Sequence, residues 1–196
     1  NTYSRIFLPE KTSSSLTHTT YRETLLSHPI NYQGEISSSI KHYQAKCFDI
    51  SAVGGTFDHI HDGHKILLSI SAFLTKSKLI VGLTAERLLV NKKFKSQLQA
   101  YEMRKSHVMA FIAKADPSVT IEILPINDVC GPTGHEPNIQ ALIVSKETQA
   151  GGDTVNEVRK EKGLSPLEVF VVDILGGKEK LSSTTLRQME YEKLQN

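Results

Sequence analysis

The residues of this chain best suited to chemistry gather in two short blocks. The first reads Gly54-Gly55-Thr56-Phe57-Asp58-His59-Ile60-His61-Asp62-Gly63-His64. Two successive glycines permit a tight turn and let a ligand approach the backbone. Helix-length apolar patterning follows over residues 66–74, so the block opens a helix, whose first N–H groups lack intrahelical acceptors and sit at the positive dipole end. A phosphate fits there. His61 and His64, three residues apart at that start, can face one ligand, and Gly63 between them leaves room for a flat group such as a nucleobase or ribose. Each part alone has an ordinary explanation, a turn for the glycines and a surface or core position for a histidine; the combination is what points to function. The block is neither the dinucleotide-binding G-x-G-x-x-G nor a P-loop, since the later glycines of the one and the Gly-Lys-Ser/Thr of the other are absent. Three imidazoles at His59, His61 and His64 plus a water could form a zinc geometry. No H-E-x-x-H pattern and no nearby Glu base accompany them, so no metal site is expected.

The second block is Leu181-Ser182-Ser183-Thr184-Thr185-Leu186-Arg187, after a Gly176-Gly177 turn and at the start of the last helix. Successive small hydroxyl residues at a helix start supply a cap and free backbone donors, and most such clusters are no more than caps. They can also surround phosphate oxygens, with Arg187 in the first turn adding a bidentate contact.

The elements that must position these blocks alternate. Apolar strands are predicted at residues 47–53, 79–83, 119–124, 139–144 and 167–175. Helices are predicted at 66–74, 85–90 (short), 101–115 (stopped before Pro117), a charged segment capped by Asp153 and ended at Gly163, and 184–194. A lysine-rich loop with Lys92 and Lys93 follows the short helix. Nearly continuous apolar strands separated by helices imply a parallel sheet covered on both faces, and right-handed crossovers make it doubly wound. The expected fold is α/β, a Rossmann-like five-stranded parallel sheet of order 3-2-1-4-5 with ligands beyond the carboxyl ends of the strands at the switch in order.

Residues 1–45, rich in Ser, Thr, His and Tyr, show little periodicity apart from a possible short strand at 6–8 and a polar stretch at 12–20. They are expected to be an N-terminal arm or the remnant of an upstream region, with residues 46–196 as the domain. Lys and Arg (23) nearly balance Asp and Glu (21) and are interspersed with them, which argues against a nucleic-acid binder working through a broad basic surface. No apolar run reaches the roughly 20 residues of a membrane span, and no cleavable signal pattern is present. Two cysteines, Cys47 and Cys130, are too few for a disulfide framework and read as free thiols in a reducing, cytoplasmic setting.

Together the two blocks resemble the signatures of the HxGH nucleotidyltransferases. Gly55 to His64 match G-T-F-D-x-x-H-x-G-H, and Ser182 to Arg187 match S-S-T-x-x-R. Residues 47–194 are similar to the phosphopantetheine adenylyltransferases of eukaryotic and archaeal type. Asp128-Val129-Cys130-Gly131-Pro132-Thr133 is similar to their D-x-x-G-P-T segment, and Val144-Ser145-Lys146-Glu147-Thr148 to their V-S-x-E-T segment. The bacterial branch carries arginines at the latter segment and Thr at the first position of HxGH, so neither its arginine contacts nor its hexamer is carried over.

The resemblance implies transfer of adenylyl from ATP to 4′-phosphopantetheine, giving dephospho-CoA and pyrophosphate in coenzyme A biosynthesis. It implies Mg²⁺ with ATP, and dephospho-CoA, coenzyme A and other enzymes of that pathway as further partners, with no nucleic acid and no membrane. By the same resemblance His64 acts on the α-phosphate, with His61 on ATP phosphate or ribose and Lys92 or Lys93 near the reacting phosphates. Gly55, Phe57, Ser182, Ser183, Thr184 and Arg187 bind ATP, and Thr56, Asp128, Gly131, Pro132 and Thr133 bind phosphopantetheine. The rival readings are a nicotinamide mononucleotide adenylyltransferase or a cytidylyltransferase, which differ in the acceptor pocket, and a non-catalytic nucleotide-binding scaffold, against which intact His61, His64 and Arg187 argue.

Overall fold

The computed structural model describes residues 4–6, 45–173 and 182–195. The polar stretch at 12–20, the end of the predicted strands at 6–8 and 167–175, and the Gly176-Gly177 turn lie outside the described residues. Six strands form one sheet: β1 (Ser4–Ile6), β2 (Phe48–Gly55), β3 (Thr75–Thr84), β4 (Thr120–Ile126), β5 (Ala141–Ser145) and β6 (Glu168–Val172). All pairings are parallel, in the order β1-β6-β5-β2-β3-β4. Counted from β2, the five strands β2 to β6 run 3-2-1-4-5 as expected. The sixth, β1, adds to the outer edge of β6 through Ser4, Arg5 and Ile6.

The strands bury alternate residues on opposite faces, as a period of two requires. Val53, Leu79, Val81, Leu83, Ile143 and Phe170 face one core with α1 (Asp62–Leu74) and α2 (Tyr101–Ala115). Ala52, Ile80, Leu142, Val144, Val169 and Val171 face a second core with α3 (Gln149–Glu161). The chain leaves β2 toward β3 and β4 over one face and, from β5, toward β6 over the other. The order therefore reverses between β2 and β5, and their carboxyl ends form the crevice where such folds bind ligands.

Local sequence accounts for most boundaries. The α1 stripe of Leu67, Leu68, Ile70 and Leu74 is buried, and extended backbone at Thr75 turns the chain straight into β3. The second helix has the predicted bounds. The expected short helix at 85–90 is a single 3-10 turn, Glu86–Leu88. For α3 the structure corrects the expected start. Asp153 lies inside the helix, and a capping box of Ser145 and Thr148 precedes it. Gly151-Gly152 is helical because Gly152 packs on β6, where a Cβ would stand 2.9 Å from Val169 Cγ1. Gly163 ends the helix at φ 68°, the left-handed geometry glycine adopts without strain.

Candidate active site

The turn from β2 into α1 carries the first block, and two of its residues hold left-handed backbone, Phe57 and His59, each at φ 47°. A non-glycine residue there costs on the order of 1–3 kcal/mol, so the surroundings must over-determine the conformation. They do. The Phe57 ring is fully buried in the α1–α2 core and packs 5.3 Å from the His64 ring. Gly55 makes room for it, since a Cβ there would sit 3.0 Å from the ring. The Asp58 carboxylate, 0% exposed, accepts the Gln99 N–H through Oδ1 (3.0 Å) and the Arg187 Nη1–H through Oδ2 (2.6 Å). The His59 N–H donates to Gln99 Oε1 (2.9 Å), and its ring lies between Asp58 Oδ1 (3.0 Å) and Glu190 Oε2 (2.9 Å).

His61 is the N-cap of α1 and His64 its third residue. Their rings stack, centroids 3.9 Å apart and 24° from parallel. Burial, and then the neighbouring His61, lower the His64 pKa to about 4. Its imidazole is therefore neutral at pH 7 and can offer a hydrogen bond to a ligand oxygen without first losing a proton. His59 is turned toward Asp58 and Glu190, and the described residues contain no group of three His, Cys, Asp or Glu placed to hold a metal ion.

The second block opens α4 (Ser183–Lys193). Ser182 is its N-cap, accepting the Thr185 N–H (3.2 Å), and Ser183 Oγ donates to the Asp58 carbonyl (2.8 Å). The two blocks thus meet at Asp58. Here the structure corrects the role expected of Arg187. Its side chain is 2% exposed, and it donates through Nη1 to Asp58, through Nε to the Lys93 carbonyl (3.0 Å) and through Nη2 to Thr184 Oγ1 (3.1 Å). A buried carboxylate needs a counter-charge, and Arg187 supplies it; the guanidinium is a tie rather than a phosphate clamp. What α4 offers an anion is backbone, the Ser183 and Thr184 N–H groups that helix geometry leaves without intrahelical acceptors. Lys92 and Lys93 are exposed, and the Lys93 carbonyl is fixed by Arg187 while its side chain stays in solvent.

On the α3 face a cavity of about 360 Å³ opens at the carboxyl ends of the strands. Ala52, Ile80, Leu142 and Val144 make its floor, Gly54, Gly55 and Thr56 one wall, and Val129, Cys130, Pro132 and Thr133 another. Of the five residues expected at the acceptor, Thr56, Pro132 and Thr133 line this cavity. Asp128 and Gly131 shape the loop instead. Asp128 Oδ1 accepts the N–H groups of Cys130 (2.9 Å) and Gly131 (2.7 Å), and Gly131, at φ 46°, lies where a Cβ would meet Ile126 Cγ2 at 2.5 Å. Gly55 walls the same cavity, whereas Phe57, expected to contact ATP, is fully buried and presents no surface to a ligand.

Sequence reasoning missed Asp58, Gln99 and Arg104. Arg104, fully buried, donates through Nη1 to the carbonyls of Thr56 (2.8 Å) and Thr84 (3.1 Å) and through Nε to that of Gln99 (3.0 Å). It pins the glycine turn to the end of β3. The signal was present: Arg104 shares one α2 stripe with buried Val108 and Ile112, at positions i, i+4 and i+8.

A doubly wound parallel sheet, with a histidine pair and a second helix N-terminus gathered beside its switch point, defines a Rossmann-like α/β domain. Residues 52–189 match the family model described as cytidylyltransferase-like. The chain is 52% identical over 151 residues to the phosphopantetheine adenylyltransferase of Saccharomyces cerevisiae, an alignment covering 74% of this chain and 50% of that protein. It is 36% identical over 137 residues to that of Pyrococcus abyssi, covering 69% of this chain and 86% of that one. An uncharacterised protein of Schizosaccharomyces pombe is 36% identical over 71% of this chain and 47% of its own length. The chain thus spans about half the length of the two fungal relatives. A solved structure of a protein of unknown function from Archaeoglobus fulgidus shares the fold, with a TM-score of 0.55 and 23% identity over 68% of this chain and 96% of that one. The chain belongs to the cytidylyltransferase-like family and, within it, stands with the phosphopantetheine adenylyltransferases. No helix among the described residues is long and apolar enough to cross a membrane.

Proposed function

We propose that this chain transfers the adenylyl group of ATP to 4′-phosphopantetheine, forming dephospho-CoA and pyrophosphate. The observation that carries this reading is the shared turn. Gly54, Gly55 and Thr56 wall an apolar cavity and lead directly into the His61–His64 helix, so an acceptor arm and a nucleotide would meet at one place. The relatives' names give the same acceptor and the same transferred group.

The acceptor's phosphate monoester is largely dianionic at neutral pH, its second pKa lying near 6, and needs no general base. Its oxygen attacks the α-phosphorus of ATP as the bond to the β-phosphate oxygen breaks, and pyrophosphate leaves. The protein's task is alignment and stabilisation of charge on the transferring group. Neutral His64 donates to an α-phosphate oxygen and His61 contacts phosphate or ribose. Ser183 and Thr184 N–H groups receive the β- and γ-phosphates with Ser182 as their cap, and Lys92 or Lys93 folds over them. Thr56, Pro132 and Thr133 contact the acceptor. Mg²⁺ enters with ATP, held mainly by phosphate oxygens and water. The two free thiols, Cys47 and Cys130, suit a reducing, cytoplasmic setting.

The test is pyrophosphate release with ATP and a panel of acceptors. Release that requires both ATP and 4′-phosphopantetheine is expected. Turnover with nicotinamide mononucleotide or with CTP in place of that pair moves the chain to another reaction of its family, and no turnover with any pair makes it a binding scaffold.

A further inference from the structure

The walls of the acceptor cavity differ in how they are held. Gly54–Thr56 continues β2 and is pinned by Arg104. The opposite wall is a loop closed by a 3-10 turn, Gly131–Gly134, with no sheet ladder to fix its shape. Asp128 holds the near end of that turn. The far end is held from α3. Arg159 Nη1 donates to the carbonyls of Thr133 (2.7 Å) and Glu136 (2.8 Å), and its Nε to that of Ser165 (2.7 Å). Lys162 adds a bond to the Gly134 carbonyl (3.1 Å).

Arg159 is 0% exposed, and the acceptors of these bonds are backbone carbonyls rather than a carboxylate. Burying a cation this way is costly. The α3 face it belongs to otherwise buries Gly152 and Val155, where an apolar side chain would fill the core at less cost. An apolar side chain would also leave three carbonyls of the wall and of the β6 approach without these donors. The arrangement therefore serves the loop. On the nucleotide side, by contrast, Asp58, Gln99 and Arg187 tie the two blocks and the loop between them, and none of those bonds involves Arg159.

We propose that Arg159 is a positioning residue for acceptor recognition, fixing the Gly131–Gly134 turn against α3 and so setting the width of the acceptor cavity while touching neither substrate. The identity of the acceptor rests on the function proposed above. A wall released from this clamp must be ordered again each time an acceptor binds, whereas ATP meets an unchanged surface.

The experiment compares the wild-type chain with Arg159→Met and Arg159→Lys by steady-state kinetics in both substrates, calorimetric titration of 4′-phosphopantetheine and of ATP, and amide hydrogen exchange. For Arg159→Met the acceptor KM rises by about ten- to a hundredfold, the scale of one lost charge-assisted hydrogen bond, with kcat and the ATP KM near wild type. Lysine restores part of the loss, because one ammonium cannot reproduce the planar three-bond fork. Exchange at residues 131–134 quickens while the sheet is unchanged. If Arg159→Met does not fold, Arg159→Lys decides on the same measurements. A folded variant with wild-type acceptor KM overturns the proposal, and so does a parallel loss of ATP and acceptor affinity. If the wild-type chain does not bind 4′-phosphopantetheine, the functional reading fails instead. The clamp is then judged by exchange alone, and unchanged protection of residues 131–134 overturns it.

Discussion

Asp58 is where both sequence blocks, the 97–100 loop and the last helix are joined, so Asp58→Asn is the most informative single change. The carboxylate and its partner Arg187 are 0% and 2% exposed, with Oδ2 and Nη1 2.6 Å apart. Asparagine can keep the Gln99 N–H bond through its carbonyl oxygen, but its amide then faces Arg187, donor against donor, beside an uncompensated buried cation. Removing one member of a buried ion pair costs about 3–5 kcal/mol. For a domain of this size each kcal/mol moves the melting temperature by about 2–4 °C, so a fall of roughly 10 °C is expected. The assay is thermal and urea unfolding followed by far-UV circular dichroism, with ATP affinity by calorimetry on the folded variant. ATP binding weakens as well, because the Asp58 carbonyl also seats Ser183 at the start of α4. A double-mutant cycle isolates the pair: Asp58→Leu with Arg187→Leu recovers at least about 2 kcal/mol relative to the sum of the single changes, since a buried pair replaced whole loses far less than one broken. Strictly additive losses, or an Asp58→Asn chain within about 1 kcal/mol of wild type, refute the reasoning.

Three further outcomes follow from the same geometry. His64→Ala lowers kcat on the order of 100-fold with little change in ATP affinity, as for a donor used mainly in the transition state; weaker ATP binding at unchanged kcat contradicts that role. Because the folded His64 pKa is about 4 against roughly 6.5 in the unfolded chain, the unfolded state takes a proton there first as pH falls. Stability is lost from about pH 6.5 down to about 4, and by pH 5 urea unfolding shows wild type losing about 2 kcal/mol more than His64→Gln relative to pH 7; equal losses sink the assignment. Lys92→Ala combined with Lys93→Ala leaves the melting temperature within about 2 °C, since exposed side chains away from special contacts change stability little, yet cuts the maximal rate of pyrophosphate release; an unchanged rate removes both lysines from the site.

Much of the fold was legible because its strands are apolar on both faces and its helices are punctuated. Residues 101–115 carry a helix period and stop before Pro117, and the helix has those bounds. The start of α3 was misplaced because Gly151-Gly152 resembles a break, whereas Gly152 is needed for contact with Val169. No local pattern marks β1 as a partner of β6, since that pairing joins residues 4–6 to residues 170–172. The site blocks were legible as motifs, but not the use of Arg187. Its partner Asp58 lies 129 residues away, and a guanidinium beside hydroxyls reads as a phosphate ligand when the carboxylate is out of view. Arg104 and Arg159 escaped for a related reason: each occupies a place on the buried stripe of its helix, and a charged residue is ordinarily assigned to the solvent face.

The Asp58–Arg187 tie has a consequence for synthesis on the ribosome. Chains emerge from the N-terminus, and domains fold as their parts become available. Among the described residues, both cores of the sheet draw on positions up to Val172, so the parallel scaffold can assemble before α4 is free to dock. Until Arg187 emerges, however, the Asp58 carboxylate lacks the guanidinium that bonds its Oδ2. The left-handed turn at Phe57 and His59 then lacks one of the contacts that stabilise it. The nascent domain is therefore compact before the turn that leads to His61 and His64 is fully tied down, and that turn is the last of the described parts to close.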